Sequence, residues 1–369
     1  MGPSGNKRRV LVGLSGGVDS SVAALLLLEQ GYEVVGVSMK LWNDALPLPH
    51  AQGKTAAAVP RGDACFGPGE AADLEAAAAL CSRLGIPYRQ FDCSREYGRF
   101  ILENFRSEYL AGRTPNPCVR CNAIVKFGFL PEAARAAGIP FDFFATGHYA
   151  RVEPGPDGRM QLLRAADRGK DQSYFLYRLS QAQLLRQLFP LGNLRKTEVR
   201  EKARAAGLAA ADRPDSQDFY AGDRADLIGE PGRQGEFVDA AGQVLGHHDG
   251  YWQFTIGQRR GIGIARPEPY YVVAIDAARN RVVLGTEREA WVPSFVVRDL
   301  VWTSVEAPPA EAALKIRSGG EPVPGARLEP LPDGTLRVTP PAPGLRGVAP
   351  GQSAVFYDGD LLLGGGIIA

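Results

Sequence analysis

Arg9-Val10-Leu11-Val12-Gly13-Leu14, Ser15-Gly16-Gly17-Val18-Asp19-Ser20 and residues 21–30 (SVAALLLLEQ) form the stretch on which the reading of this chain turns. The first part is a short apolar run rich in β-branched residues, the pattern of a buried strand. Two glycines break that run, and the last part reads as a helix stopped by Gly31. Strand, glycine-rich loop and helix in this order build an anion site. Glycines let the backbone turn tightly enough for several N–H groups to converge on one anion, and the helix N-terminus adds partial positive charge. The Ser15 and Ser20 hydroxyls suit phosphate oxygens, and the Asp19 carboxylate suits a hydrated Mg2+. The loop contains neither G-x-x-x-x-G-K-[ST] nor G-x-G-x-x-G. An ordinary turn in which Asp19 or Ser20 caps the helix is the competing reading, and the complete strand–loop–helix setting argues against it.

Outward from this stretch, strand and helix patterns alternate. Residues 32–42 (YEVVGVSMKLW) read as a second strand, 73–84 as an Ala-rich helix, 86–93 as a third strand, 131–137 as a helix and 141–152 (FDFFATGHYARV) as a fourth strand. Such alternation predicts an α/β domain with a doubly wound parallel sheet. Residues 43–64 lack periodicity and are rich in Ala, Pro and Gly, which predicts a mobile loop. From about Asp212 the helical patterns thin out. Short runs such as 270–275, 281–285, 294–304, 313–317, 335–339 and 352–357 follow, separated by Pro/Gly turns, which predicts a closed β-barrel or sandwich at the C-terminus, the barrel being the expectation carried forward. The expected organisation is a catalytic domain over 1–212, a small central domain over 213–285 and a β-barrel over 286–369.

Composition limits what such a protein can be. With 369 residues, 45% hydrophobic and 22% charged, the chain is an ordinary globular one of two or three domains rather than a disordered one. Lys and Arg number 42 against 41 Asp and Glu, a net charge of +1, so a nucleic-acid partner has to be held by local basic patches. The longest apolar run, Val22 to Leu28, is far short of a membrane span. MGPSGNKRR lacks the apolar region of a signal peptide, and five cysteines make no disulfide scaffold. The expectation is a cytoplasmic protein in a reducing setting with no membrane partner.

The second constellation is Gly112-Arg113-Thr114-Pro115-Asn116-Pro117-Cys118-Val119-Arg120-Cys121-Asn122. Its two prolines stiffen the backbone ahead of Cys118 and Cys121. Arg113, Arg120 and Lys126 are expected to favour the thiolate, the nucleophilic form. A C-x-x-C pair serves as a redox dithiol, half a zinc site or part of an iron–sulfur site. No second C-x-x-C or C-x-x-H completes a zinc set, and the polar, Pro-rich flanks argue against two merely packed core thiols.

The SGGVDS loop after a first strand resembles the pyrophosphate loop of the N-type ATP pyrophosphatases, which split ATP to AMP and pyrophosphate while adenylating a substrate. The T-P-N-P-x-x-x-C-N block narrows the resemblance to the tRNA-uridine 2-sulfurtransferases (tRNA-specific 2-thiouridylases, MnmA family). Further blocks of similarity are 145–150 (ATGHYA), 170–176 (KDQSYFL), 214–219 (PDSQDF), 254–261 (FTIGQRRG), 315–317 (KIR) and 350–357 (PGQSAVFY). The resemblance implies ATP phosphates on Gly13, Leu14, Ser15, Gly16, Gly17, Val18, Asp19 and Ser20, with Mg2+ at Asp19, adenine near Met39 and nucleotide at Gly147. It implies Cys121 as nucleophile and Asn116, Pro117 and Cys118 beside the target uridine. His148, Lys170, Asp171, Gln172, Arg317, Ser318 and Gln352 match positions that touch tRNA. The implied reaction is ATP-dependent 2-thiolation of the wobble uridine of the tRNAs for Lys, Glu and Gln. Adenylation of the C2 oxygen precedes sulfur attack and loss of AMP, and sulfur comes from a cysteine desulfurase, a relay protein or sulfide. A small-molecule ligase of the same superfamily, or a non-catalytic tRNA-binding or sulfur-carrier protein, are the alternatives.

The chain departs from that family at two places. Tyr220 stands where the better-known branch has its persulfide cysteine, and Cys118 stands where it has an acid. Cys81 and Cys93 lie in apolar settings and read as structural thiols. Cys65 lies in a polar segment after the 43–64 loop. Cys65, Cys118 and Cys121 are therefore expected to converge, either on an oxygen-sensitive [4Fe–4S] cluster or as a cluster-free Cys65–Cys121 persulfide and disulfide relay.

Overall fold

A computed structural model describes residues 7–43, 64–67, 69–211, 213, 218–220, 222–264 and 268–369. The 43–64 loop expectation, apart from its ends, and the Pro214–Gln217 part of the PDSQDF block lie outside them.

The apolar run at the N-terminus forms β1 (Arg9–Gly13), whose three middle residues are buried. It pairs in parallel with β2 (Glu33–Lys40), which carries the edge strand β4 (Tyr88–Asp92) after the short β3 (Ala64–Phe66). On its other side β1 pairs with β5 (Phe143–Thr146), which pairs with β8 (Gln187–Leu188), giving the order β4-β2-β1-β5-β8 with every pair parallel. Helices α1 (Val18–Glu29) and α2 (Glu70–Leu84) cross over between these strands. This is the doubly wound sheet expected from the alternation. The order reverses between β1 and β5, so a crevice opens at the carboxyl ends of those two strands.

The fourth strand is shorter than the sequence suggests. Apolar patterning runs on from 141 to 152, but the chain leaves the sheet after Thr146. Residues Ala150–Pro154 (β6) and Met160–Arg164 (β7) form a hairpin that joins a different sheet. Gly147 is the reason: a Cβ there would lie 2.6 Å from the Ser20 nitrogen, so the backbone turns away against the start of α1.

Residues Gly235–Val238, Val244–His248, Tyr271–Asp276 and Arg281–Gly285 make a four-stranded central sheet. The C-terminal strands Phe295–Trp302, Leu336–Thr339, Val323–Pro330, Glu311–Lys315, Ser353–Asp358 and Leu361–Ile368 pair in that order, and the first also pairs with the last. That closure makes a six-stranded barrel with its own apolar core, including Val297, Leu314, Val338 and Phe356. The β6–β7 hairpin adds to the barrel at Leu361 and Leu362, fixed by the Arg151–Asp360 and Arg164–Glu321 pairs at 2.7 and 2.6 Å.

Candidate active site

The phosphate loop is held by its own serines. Gly17 precedes the first turn of α1 in extended backbone, and its carbonyl accepts from the Ser20 and Ser21 hydroxyls at 3.1 and 2.8 Å. The Ser15 N–H donates back to Ser20 Oγ at 3.2 Å. Gly16 has φ +73°, and a Cβ there would lie 2.5 Å from the Asp73 carbonyl oxygen, so only glycine fits against α2. Arg213 ties the same corner together, donating to the Gly16 carbonyl at 3.2 Å and pairing with Asp73.

Asp19 is more engaged than its loop position suggests. Its carboxylate accepts from Lys196 Nζ at 2.7 and 2.8 Å and from the Tyr149 hydroxyl at 2.8 Å. The Asp19 side chain is 28% exposed and that of Lys196 10%. A single, partly exposed carboxylate beside an anion loop fits Mg2+ arriving with a polyphosphate, since Mg2+ usually takes one or two carboxylates plus phosphate oxygens. Lys196 and Arg213 stand in no motif read from the sequence, and Tyr149 stands in the 145–150 block without an expected role. A lysine opening a polar helix (Lys196–Ala205) looks like a solvated one, and only the packing of that helix against α1 shows otherwise.

Met39 lies near the carboxyl end of β2, partly buried between two core clusters, and Gly13 and Gly147 lie at the carboxyl ends of β1 and β5. The nucleotide residues expected from the sequence therefore gather on one edge of the sheet.

The cysteine segment begins a helical run over 117–136. Asn116 caps it, its side chain accepting from the Val119 N–H at 3.3 Å, and Pro117 occupies the first turn. Immediately after Cys121 the winding turns π over Asn122–Phe129. Cys121 is 8% exposed and packs in one cluster with Leu41, just past β2, and Cys93, just past β4. The expected activation of this thiol is not what the surroundings provide. Arg113 is paired to Glu108 by two 2.7 Å bonds, and Arg120 donates to the Phe100 carbonyl at 2.6 Å. Burial pushes the Cys121 thiol up to about 12, against a smaller downward pull from Lys126.

Cys65 lies within electrostatic reach of this thiol, pushing it up further. Strand β3 pairs in parallel with β9 (Asp218–Tyr220), setting Phe66 opposite Tyr220, and Cys65 Sγ lies 3.7 Å from the Phe219 carbonyl. The exposed Cys65 thus stands beside the Phe219–Tyr220 segment. Tyr97, packed against Phe66, has its phenol pushed well up by burial first and then by Cys65, Cys121 and Cys118. All three cysteines act electrostatically on Tyr97, but the donor arrangement does not fit a cluster: among the described residues no group of three or more His, Cys, Asp or Glu is placed to hold a metal ion. Cys81 and Cys93 are fully buried, as expected of structural thiols.

The other expected tRNA positions divide. Arg317 and Gln352 line a cleft of about 1480 Å³ together with Pro117, Tyr220, Trp252 and Arg346. Ser318 is exposed beside Arg317, and Lys170 is partly exposed. Asp171 is instead spent inside the fold: its wholly buried carboxylate accepts from the Ala165 and Ser173 N–H groups at 3.0 and 3.2 Å and faces Arg164. Gln172 accepts from the Tyr149 N–H at 2.9 Å. His148 bonds Thr146 Oγ1 at 2.7 Å among Phe127 and Phe189, and burial holds its ring well below the usual histidine range.

The cleft exists because three domains meet on the cysteine segment. From the barrel, the Pro350 carbonyl accepts from the Thr114 N–H at 2.7 Å, and Gln352 Nε2 donates to the Thr114 and Pro115 carbonyls at 3.0 and 3.1 Å. From the central domain, the Tyr251 hydroxyl donates to the Leu110 carbonyl at 2.6 Å.

A parallel sheet with a serine–glycine loop at its switch point defines the class: a nucleotide-binding α/β domain, here extended by two β domains. Comparison with known proteins narrows it. Residues 8–220 match the family profile described as tRNA methyl transferase HUP domain, 228–286 that of the tRNA methyl transferase PRC-barrel domain, and 292–368 that of the aminomethyltransferase beta-barrel domain. The tRNA-specific 2-thiouridylase MnmA of Endomicrobium trichonymphae is 46% identical over 98% of both chains. The proteins of the same name from Geobacter metallireducens and Chloroflexus aurantiacus are 43% and 46% identical, each over 98% of this chain and 97% and 98% of their own. Among solved structures, an NMN synthetase from Francisella tularensis aligns at 17% identity with a TM-score of 0.33, over 56% of this chain and 65% of its own. The chain belongs to the tRNA-specific 2-thiouridylase family.

Proposed function

We propose that this protein is an ATP-dependent sulfurtransferase that converts the wobble uridine of tRNA to 2-thiouridine, with the tRNAs for Lys, Glu and Gln as substrates. The observation that carries the reading is the position of the Thr114–Cys121 segment. Its first residues, Thr114, Pro115 and Pro117, line a three-domain cleft of about 1480 Å³, and Cys121 at its end packs with Leu41 just past β2, towards the sheet edge that carries the phosphate loop. That volume exceeds the roughly 300–1,000 Å³ of a small-molecule pocket and suits a nucleotide extruded from a larger RNA. A small-molecule ligase leaves the clasp of the barrel on the cysteine segment without a purpose.

In this reading the C2 oxygen of the uridine attacks the α-phosphorus of ATP and pyrophosphate leaves, its charge met by the loop N–H groups. Mg2+ held through Asp19 would neutralise phosphate charge. A donor such as a cysteine desulfurase or relay protein loads sulfane sulfur onto one cysteine of the Cys65–Cys121 pair. The terminal sulfur attacks C2 and AMP departs with the oxygen. The second cysteine then attacks the inner sulfur, forming the Cys65–Cys121 disulfide and freeing the 2-thiouridine. An external dithiol supplies the two electrons that reset the pair. This relay needs only the proximity of Cys65 and Cys121, whereas the [4Fe–4S] alternative needs a ligand set that the described residues do not form. Iron-free, anaerobically prepared enzyme is expected to be active, and activity that rises in proportion to bound iron overturns the relay.

ATP–pyrophosphate exchange with and without bulk tRNA tests the whole reading. Exchange that requires tRNA supports it, tRNA-independent exchange points to a small-molecule ligase, and none points to a binding protein.

A further inference from the structure

The phosphate loop SGGVDS contains no cation of its own, although pyrophosphate leaving from ATP gains charge that backbone N–H groups and hydroxyls meet only in part. Among the described residues, Arg213 and Lys196 stand at the loop. Arg213 is spread between the Gly16 carbonyl and the Asp73 carboxylate, where it fixes loop shape. Lys196 is different. Its ammonium is nearly buried, reaches both oxygens of Asp19 in the first turn of α1, and lies 5.7 Å from the Tyr149 ring centroid. Its backbone is rigidly seated, because the Lys196 N–H donates to Asp167 at 2.9 Å and the helix behind it packs on α1. A nearly buried lysine held on the carboxylate of an anion loop is placed to turn to a phosphate when that acceptor arrives beside it. A phosphate oxygen is such an acceptor, and Asp19 is then free for the divalent cation that accompanies it.

We propose that Lys196 is the cationic ligand of the phosphate loop, parked on Asp19 and passed to a phosphate oxygen of the leaving pyrophosphate. This rests on the reading that the loop binds ATP. It makes Lys196 a residue that touches substrate rather than a structural ion pair.

The test is titration calorimetry of pyrophosphate and of AMP, each with Mg2+, on the wild type, Lys196→Met and Lys196→Arg. Lys196→Met is expected to weaken pyrophosphate by about tenfold or more, as loss of a charge-assisted hydrogen bond does, while AMP binding stays within about twofold. Lys196→Arg is expected to recover most of the loss. Equal pyrophosphate affinity in Lys196→Met and the wild type overturns the proposal. So does a parallel loss of pyrophosphate and AMP, the mark of a collapsed site. Wild-type protein that binds neither ligand overturns the ATP reading itself. Should Lys196→Met fail to fold, 15N-lysine-labelled wild type decides: pyrophosphate must shift the Lys196 ammonium resonance and AMP must not.

Discussion

At the scale of single residues, two side chains behave differently from what their types suggest. Asp19 reads in the sequence as a Mg2+ carboxylate or a helix cap, yet it is the counter-ion of a nearly buried lysine. Asp19→Ala would remove the carboxylate that holds this nearly buried ammonium and so confuse loss of function with loss of stability. Asp19→Asn keeps an acceptor for Lys196 and Tyr149. It is expected to abolish ATP cleavage with the thermal midpoint nearly unchanged, and wild-type exchange rates in that variant would contradict the assignment of the loop. Cys121 reads as an activated nucleophile among three cations, but two of these are engaged elsewhere and burial dominates. With its pKa pushed up to about 12, the thiolate fraction at neutral pH is very small and rises tenfold per pH unit up to that value. Peptide-mapped alkylation by iodoacetamide at pH 7.5 is expected to modify the exposed Cys65 well before Cys121. Cys121 should gain reactivity steadily towards pH 10, and a Cys121 that alkylates first would show a thiolate that burial does not hold back. Neither correction was available from residue types, because both depend on who else is near.

At the scale of elements, the strand–loop–helix unit was legible because each signal is local: a β-branched run, two glycines, an apolar helix. The end of the fourth strand was not. Its apolar pattern continues to Val152, and what breaks it is a contact with α1, distant in sequence, through Gly147. Gly147→Ala forces the start of α1 away from β5. It is expected to destabilise the fold by about 1–3 kcal/mol, as overpacking does, and to raise the KM for ATP more than it lowers the melting temperature would suggest. An unchanged KM would mean that this contact does not set the loop. The β3–β9 pair was equally invisible, since two three-residue strands separated by more than a hundred residues carry no periodicity. Their pairing is nevertheless what sets Cys65 against the Phe219 carbonyl.

At the scale of the molecule, the three-part organisation shows in the sequence as a change of pattern, but the cleft between the parts does not. It is built by contacts such as Gln352 on Thr114 and Pro115, made across more than two hundred residues. With a net charge of +1, tRNA affinity must come from local cations such as Arg317 and Arg346 at the cleft. Binding is expected to weaken as salt rises, with log affinity falling by roughly 0.7–0.9 per phosphate contact, and affinity that stays flat between 50 and 200 mM salt, a range over which about six contacts cost some thousandfold, would contradict it. The most direct measurement is to incubate the protein with ATP, Mg2+, a sulfur donor and unmodified tRNA, then quantify nucleosides and nucleotides from one reaction by mass spectrometry. Equal amounts of 2-thiouridine and AMP are expected, both absent without ATP. ADP in place of AMP, or a tRNA left without sulfur while AMP accumulates, would contradict sulfur transfer through an adenylated uridine.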